Sequence, residues 1–478
     1  SALHLERSAD AMSEELAFTS ATELLNRYKT KKLSPVEATK ASIAQIERHS
    51  EKLNVFTIID PEQALIAASN SEKRWMAGEP KGLCDGIPTT IKDLVITKGW
   101  PTLRGSRSVD PNQAWDEDAP CVARLKEHGA ILLGKTTTPE FGHKGVTDSV
   151  LTGITRNPWN LEKTPGGSSG GASAAVASGM GQLAIGTDAG GSIRIPASFS
   201  GIYGIKPTFG RVPMYPASPF GTLSHTGPMT RTVKDAALML QVISQPDPRD
   251  WYGLPRHETN YSDLIENGVQ GLKIGFSPTL GLDTKVDPEV ADAVSDSAAQ
   301  FSNLGAKVES VDVKWPISPR DLFMVHFGSG AATFMSMLTD SQKDQIEDTL
   351  QAIAAEGSKL EMLTVKKAEL DRVSNGIYMN QLLSQYDLVL CPTLPLVAFE
   401  AGKACPDEYV NDPYGWIPFT PPFNLTGQPA ASIPCGFNSD GLPIGLQIIG
   451  PTYGEQMVLN ASRAFEKVRP FSDQRPKL

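Results

Sequence analysis

Gly166-Gly167-Ser168-Ser169-Gly170-Gly171, followed by Gly186-Thr187-Asp188-Ala189-Gly190-Gly191-Ser192-Ile193-Arg194-Ile195-Pro196, forms the densest motif of the 478-residue chain. From Pro165 to Gly204 there are 11 glycines in 40 residues, yet Ala, Val and Ile alternate with the Gly and Ser. A linker would lack those apolar residues, so this composition predicts tight turns and close backbone packing inside a folded core. Ser168 and Ser192 each stand in a glycine-lined turn. Glycine beside a hydroxyl admits a substrate to the backbone and lets successive N–H groups aim at one spot, as an oxyanion hole requires.

Outward from this segment the chain reads as alternating strands and helices. Upstream, Gly86-Ile87-Pro88-Thr89-Thr90-Ile91-Lys92-Asp93 is a β-type run ending in charges, and Ala130 to Gly134 predicts a buried strand after a helix around Ala119–His128. Residues 18–80 read as helical, with Thr19-Ser20 capping Ala21 to Lys31. Ser34-Pro35-Val36-Glu37 supplies a cap, a Pro at the first helical position and a first-turn acid. Downstream, strand Gly271–Phe276, helix Val286–Leu304 and strand Ala306–Val311 make a β-helix-β unit. Residues 315–380 are helix-rich, and Tyr386–Pro392 and Leu442–Ile449 predict further strands. This order implies an α/β fold with helices on both faces of a sheet. No repeat or linker divides the chain. The expectation is one domain over 1–478, comprising an N-terminal helical layer (1–80), a catalytic core (81–312), a variable helical region (313–380) and a C-terminal part of the core (381–478).

Composition narrows the function classes. Hydrophobic residues are 40% and charged residues 21%, as in ordinary globular proteins, and no apolar stretch approaches a bilayer span. A net charge of −10 argues against nucleic acid as a partner. The five cysteines are scattered and form no Cys-x-x-Cys pair, so reduced thiols are expected. The opening Ser1 to Lys40 is mixed and charged, and a cytoplasmic location is the expectation.

The glycines fit no phosphate cradle. Gly171-Ala172-Ser173 lacks the Lys-Ser/Thr of a P-loop, and Gly-x-Gly-x-x-Gly is not matched. A serine hydroxyl is a poor nucleophile until a base takes its proton. Lys92 follows the apolar run Ile87 to Ile91, where burial could lower its pKa from about 10.4 and make it such a base. Taken alone, Lys92 reads instead as a surface lysine paired with Asp93.

The two glycine segments together resemble the amidase signature. The resemblance runs from Pro165 to Thr208, including Phe199, Gly201 and Gly204-Ile205-Lys206-Pro207-Thr208. It extends to Gly86–Asp93, Gly134-Lys135-Thr136, Pro139-Glu140-Phe141, Asn157-Pro158-Trp159-Asn160 and Gly227-Pro228-Met229, and to Phe423-Asn424, Gly427-Gln428-Pro429-Ala430 and Gly441-Leu442-Pro443. Only residues 310–380 fall outside it. Ser200 stands where the family usually has Cys, which touches local packing alone. The resemblance implies a large mixed β-sheet core surrounded by helices. It implies Ser192 as nucleophile, Ser168 after a cis peptide as proton relay and Lys92 as base, with Ala189, Gly190, Gly191 and Ser192 lending N–H groups to the oxyanion hole. Ser169, Asp188 and Arg194 resemble the supporting shell. No cofactor and no metal are implied.

Competing readings are weaker. None of the seven histidines sits in a Gly-x-Ser-x-Gly elbow, and no His-x-x-x-His or Cys cluster suggests zinc. The glutamine-hydrolysing component of a tRNA-dependent amidotransferase, its A subunit, shares the signature and stands as the alternative. For substrate contacts the expectation is Phe141, Gly142, His143, the stretch Phe323–Phe327 and Trp416, with Phe419 nearby. These are mostly apolar, so the expected partner is a neutral aryl or hydrophobic small-molecule amide, with no nucleic acid and no membrane. A homodimer stays open.

Overall fold

The computed structural model describes residues 2–478. In chain order its strands are β1 (Phe56–Ile59), β2 (Pro88–Lys92), β3 (Ile131–Thr136), β4 (Asp148–Ser149), β5 (Gly153–Ile154), β6 (Leu183–Asp188), β7 (Tyr203–Lys206), β8 (His225–Thr230), β9 (Lys273–Phe276), β10 (Lys307–Ser310), β11 (Leu388–Pro392), β12 (Ala430–Phe437) and β13 (Pro443–Ile449). Eleven of them form one mixed sheet in the order β1-β3-β2-β6-β8-β7-β12-β13-β11-β9-β10, while β4 and β5 pair separately. The fold is therefore α/β, with helices around a single large mixed sheet.

Side-chain alternation explains the two helical layers. Leu183 and Ile185 of β6 join an apolar cluster with Val233–Ile243 and Val458–Phe465, which lie on helices 233–243 and 455–468. Ala184 between them joins Ala172, Val176 and Ala197 from helices 170–177 and 194–200. Period-2 alternation along one strand thus buries both faces. The helix 170–177 is wholly buried and built from Gly, Ala, Ser and Val. Its small residues permit close approach: a Cβ on Gly171 would collide with the backbone of Thr137. Helices 319–336, 348–358 and 362–385 pack with Phe220 and Leu223 into a further cluster.

The helix starts follow their caps. Ser20 caps Ala21–Lys29, and Ser34 with Glu37 forms a capping box on Pro35–Leu53, a device worth about 1 kcal/mol. Several strands lie outside the expected ones. Phe56–Ile59, inside the region read as a helical layer, is the strand that pairs antiparallel with β3. Its four residues are too few to impose a period on the flanking helical pattern. The strands β6, β7, β8 and β12 also carry no clear strand pattern, because Gly, Pro and Thr interrupt them.

The topology gathers the chemistry at one sheet end. β2 runs parallel to both β3 and β6. The carboxyl ends of these strands therefore bring Lys92, Thr136 and Asp188 to the same edge, where ligands bind in α/β sheets.

Candidate active site

Lys92 is the last residue of β2 and is fully buried. Its Nζ donates to Ser168 Oγ at 2.5 Å, Ser169 Oγ at 2.9 Å and Thr187 Oγ1 at 2.8 Å. Three hydroxyls thus surround the Lys92 amine, and a hydroxyl can accept from an N–H or donate to the lone pair of a neutral amine; no carboxylate salt bridge to Lys92 occurs among the described residues. Burial pushes its pKa well below the usual lysine value, against the opposing pull of Asp188. The surface pairing with Asp93 does not form. Asp93 is buried and faces Lys135 Nζ at 3.5 Å.

Ser168 and Ser169 lie at the turn into helix 170–177, and the Gly167–Ser168 peptide is cis. Ser192 lies in the turn between β6 and helix 194–200. The two turns are tied together by Ser169 N donating to Ser192 O at 3.2 Å. Ser168, Thr187, Asp188, Ala189 and Ser192 line one cavity. Gly191 has φ +136°, and its missing Cβ leaves room for Thr420, whose hydroxyl donates to Gly190 O at 2.7 Å. Among the described residues, the N–H groups of Gly190, Gly191 and Ser192 donate to no other protein group, whereas Ile193 N donates to Asp188 Oδ2 at 3.1 Å.

Asp188 and Arg194 brace this turn from beneath. They form a fully buried ion pair at 2.9 Å. Burial alone would raise the Asp188 pKa, but the Arg194 charge and hydrogen bonds, with a further bond from Asn424, hold it below the carboxylate range. Arg194 also donates to Thr420 O, Gln447 Oε1 and Asn424 Oδ1 at 2.7–2.9 Å. Thr187, Thr420, Asn424 and Gln447 are members of this site that the sequence reading missed. Thr187 and Asn424 lie inside the motifs that resemble the family, while Gln447 carries no sequence signal.

The expected substrate contacts divide. Phe141 and Gly142 line the Ser192 cavity. Gly142, His143, Phe323, Phe327 and Ser192 border an adjoining recess. His143 is buried, with Nδ1 at 2.5 Å from Glu140 O and Nε2 at 2.7 Å from Thr349 Oγ1. A carbonyl can only accept, so Nδ1 carries the proton and Nε2 accepts from the threonine; burial lowers the pKa to about 3 and keeps the ring neutral. Trp416 lines neither space. It stacks on Phe199 at 5.8 Å and meets Phe399 edge-on at 4.9 Å, a core role. Phe419 is likewise core.

No group of His, Cys, Asp and Glu among the described residues has a metal-holding arrangement, and no helix is long and apolar enough to cross a membrane. The five cysteines are unpaired thiols.

Comparison with known proteins agrees with this geometry. Residues 37–459 match the Amidase family. The chain is 37% identical to an acylamidase of Rhodococcus erythropolis over 473 residues, covering 97% of this chain and 98% of that protein. It is 35% identical to the A subunit of the glutamyl-tRNA(Gln) amidotransferase of Geobacter metallireducens, covering 95% and 98%. The crystal structure of a bacterial aryl acylamidase of the amidase signature enzymes superposes with a TM-score of 0.88 at 34% identity, covering 95% of this chain and 97% of that one. With its family matched across most of its length and its sheet shared with that acylamidase, the chain belongs to the amidase-signature family of amide hydrolases.

Proposed function

We propose that this amide hydrolase works through an acyl-enzyme on Ser192, with Ser168 and Lys92 as its proton relay. The observation that carries the reading is the buried Lys92 amine, 2.5 Å from Ser168 Oγ and free of any carboxylate salt bridge among the described residues. A neutral amine can accept a proton; an ammonium cannot. Ser192 Oγ attacks the amide carbonyl while its proton passes to Ser168, whose own proton passes to Lys92. The carbonyl oxygen becomes an oxyanion held by the N–H groups of Ala189 to Ser192. Reversal of the relay delivers a proton from Ser168 to the leaving nitrogen, and the amine departs. Water then enters, gives its proton to the same relay and attacks the ester, releasing the acid and restoring Ser192. Ser169 and Thr187 hold the Lys92 amine toward Ser168. Asp188 and Arg194 hold the turn that carries Ser192.

The substrate we propose is an amide whose acyl half is aryl or otherwise hydrophobic. Its support is the recess bordered by Phe323 and Phe327, which adjoins Ser192. The glutamine-hydrolysing alternative draws support from the 35% identity to an amidotransferase A subunit. Against it, the α-ammonium of glutamine needs an anion, and Asp188, the sole acidic residue among the described residues that line the cavity, is held by Arg194. Labelling with a sulfonyl fluoride followed by peptide mapping tests the nucleophile. An adduct on Ser192 that is absent in Ser192→Ala is expected; an adduct on another residue overturns the reading.

A further inference from the structure

Arg104 is a charged side chain in the cavity wall for which the proposed reaction has no use. Its backbone is fixed on both sides, by its N–H to Asp93 O at 3.1 Å and by Phe141 N–H to its own carbonyl at 2.7 Å. The φ of +57° turns it out of the regular path of the chain. The half-buried side chain reaches the cavity that holds Ser168 and Ser192. A guanidinium carries five N–H donors, yet this one makes a single long contact, Nη1 to Leu94 O at 3.4 Å.

The charge around it is not balanced by the protein. The carboxylate whose charge acts on it, Asp93, faces Lys135 at 3.5 Å. Asp93, Lys135 and Arg104 together leave one positive charge. The cavity's other charged lining residue, Asp188, is neutralised by Arg194. The cavity therefore presents an arginine fork with open donors and, among the described residues, no anion that pairs with it. Planar bidentate recognition of a carboxylate is what such a fork does best.

Position says which half of the substrate meets it. A Cβ on Gly142 would sit 2.7 Å from Leu94 Cδ1 and 3.2 Å from Ser168 Oγ, so Leu94 and Ser168 flank the same glycine. Arg104 reaches the backbone carbonyl of that same Leu94 and lines the cavity with it. Phe323 borders the adjoining recess instead, where a Cβ on Gly190 would meet its Cζ at 2.7 Å. Since Ser168 protonates the leaving nitrogen in the proposed reaction, the amine half extends along the Leu94 wall. We propose that Arg104 is a specificity-determining residue that binds a carboxylate on the amine half of the substrate, which makes an acylated amino acid or amino-aryl acid the preferred class. This rests on the amide-hydrolase reading of Ser168 and Ser192, and it places the neutral, apolar character of the substrate in the acyl half.

The test compares matched anilides in the full-length enzyme. In one pair the aniline ring carries a carboxylate or its methyl ester; in the other pair the acyl half carries the same change. The wild type is expected to favour the acid over the ester in the first pair by about ten- to a hundredfold in kcat/KM, the range of a charged hydrogen bond, and not in the second. Arg104→Asn tolerates the left-handed backbone and should bring the first ratio near one, with Arg104→Lys between. A wild-type ratio at or below one, a ratio that survives Arg104→Asn, or a preference confined to the acyl pair overturns the assignment. Failure to hydrolyse any of the four would count against the relay reading instead. Calorimetry with benzoate and benzyl alcohol then decides the subsite alone: benzoate binding lost in Arg104→Asn supports it, and equal binding in both proteins overturns it.

Discussion

Lys92 Nζ and Ser168 Oγ stand 2.5 Å apart at the end of a buried strand, and the acid that could pin the amine in its charged form, Asp188, is bound to Arg194 instead. The same architecture that buries the lysine therefore withholds its counter-ion. Burial of an ionisable group without a counter-ion favours the neutral form, which is the form a base must have. Asp188 still favours the ammonium from a distance, but burial outweighs it.

Activity should accordingly rise with pH as Lys92 loses its proton, along a limb centred well below the usual lysine value. Lys92→Arg and Lys92→Met should both lose about 10⁴-fold or more in kcat, because neither can accept the proton. EDTA should leave the rate unchanged. Substantial turnover by the Arg variant, or rescue by zinc after chelation, would point to another base.

The same lysine makes a stability prediction. With its folded pKa depressed, Lys92 binds a proton less readily folded than unfolded, so stability rises with pH between the two values. Lys92→Met lacks that dependence. Its melting temperature should meet or exceed that of the wild type at neutral pH, and the gap should shrink as pH rises. A gap that ignores pH would mean the amine is not desolvated as described.

Ser192→Ala should remove about 10⁴–10⁶ of the rate and little stability. Ser192 is 9% exposed and borders a cavity, so one hydroxyl is lost without a packing defect. Melting within about 2 °C of the wild type is expected, measured beside turnover. A large fall in both would make Ser192 a structural residue.

Asp188→Asn should do the opposite, costing both. It leaves Arg194 buried and uncompensated, a change worth about 3–5 kcal/mol, and it puts an NH2 donor in place of one of the two oxygens that accept from Arg194, Asn424 and the Ile193 N–H. The Asp188 pKa is depressed, so its contribution is present above the unfolded value near 3.9 and is lost as pH falls below it. Denaturation at neutral pH should show the loss; a variant as stable as the wild type would show that Asn424 and Gln447 carry the arginine alone.

The serines and their glycine turns were legible as a local pattern of small residues around a hydroxyl, whereas Lys92, which taken alone reads as a surface lysine, was singled out by the resemblance to the amidase signature. Thr187 and Asn424 lie within motifs that resemble the family yet look like ordinary strand and helix residues. Gln447 and Arg104 were invisible for another reason. A glutamine in a strand or an arginine before a glycine resembles any other until the fold turns it inward. Trp416 erred the opposite way, since proximity in sequence to the Phe423-Asn424 motif did not place its ring in the cavity. Its stacking on Phe199 is a long-range contact that no local pattern announces. β1 shows the same limit, since its pairing partner β3 lies some seventy residues away.

The recess beside Ser192 is aromatic on one side. Phe327 stacks on Phe323 at 5.2 Å and on Phe220 at 4.6 Å, forming an aromatic wall beside Ser192. Apolar burial is worth about 25 cal/mol per Å², so a ring that buries about 100 Å² gains roughly 2.5 kcal/mol, or about 50- to 100-fold in kcat/KM if realised in the transition state. Benzoyl or branched acyl anilides should therefore exceed their formyl analogues by about that margin. Phe327→Ala should erode the margin more than it lowers turnover of the small acyl group, because it enlarges the recess without touching Lys92, Ser168 or Ser192. Glutamine offers a charged acyl half for which the recess has no free anion, so it should be turned over poorly. Steady-state kinetics on these three substrates decide the matter: a clear preference for glutamine would overturn the apolar recess and favour the role held by the amidotransferase A subunits.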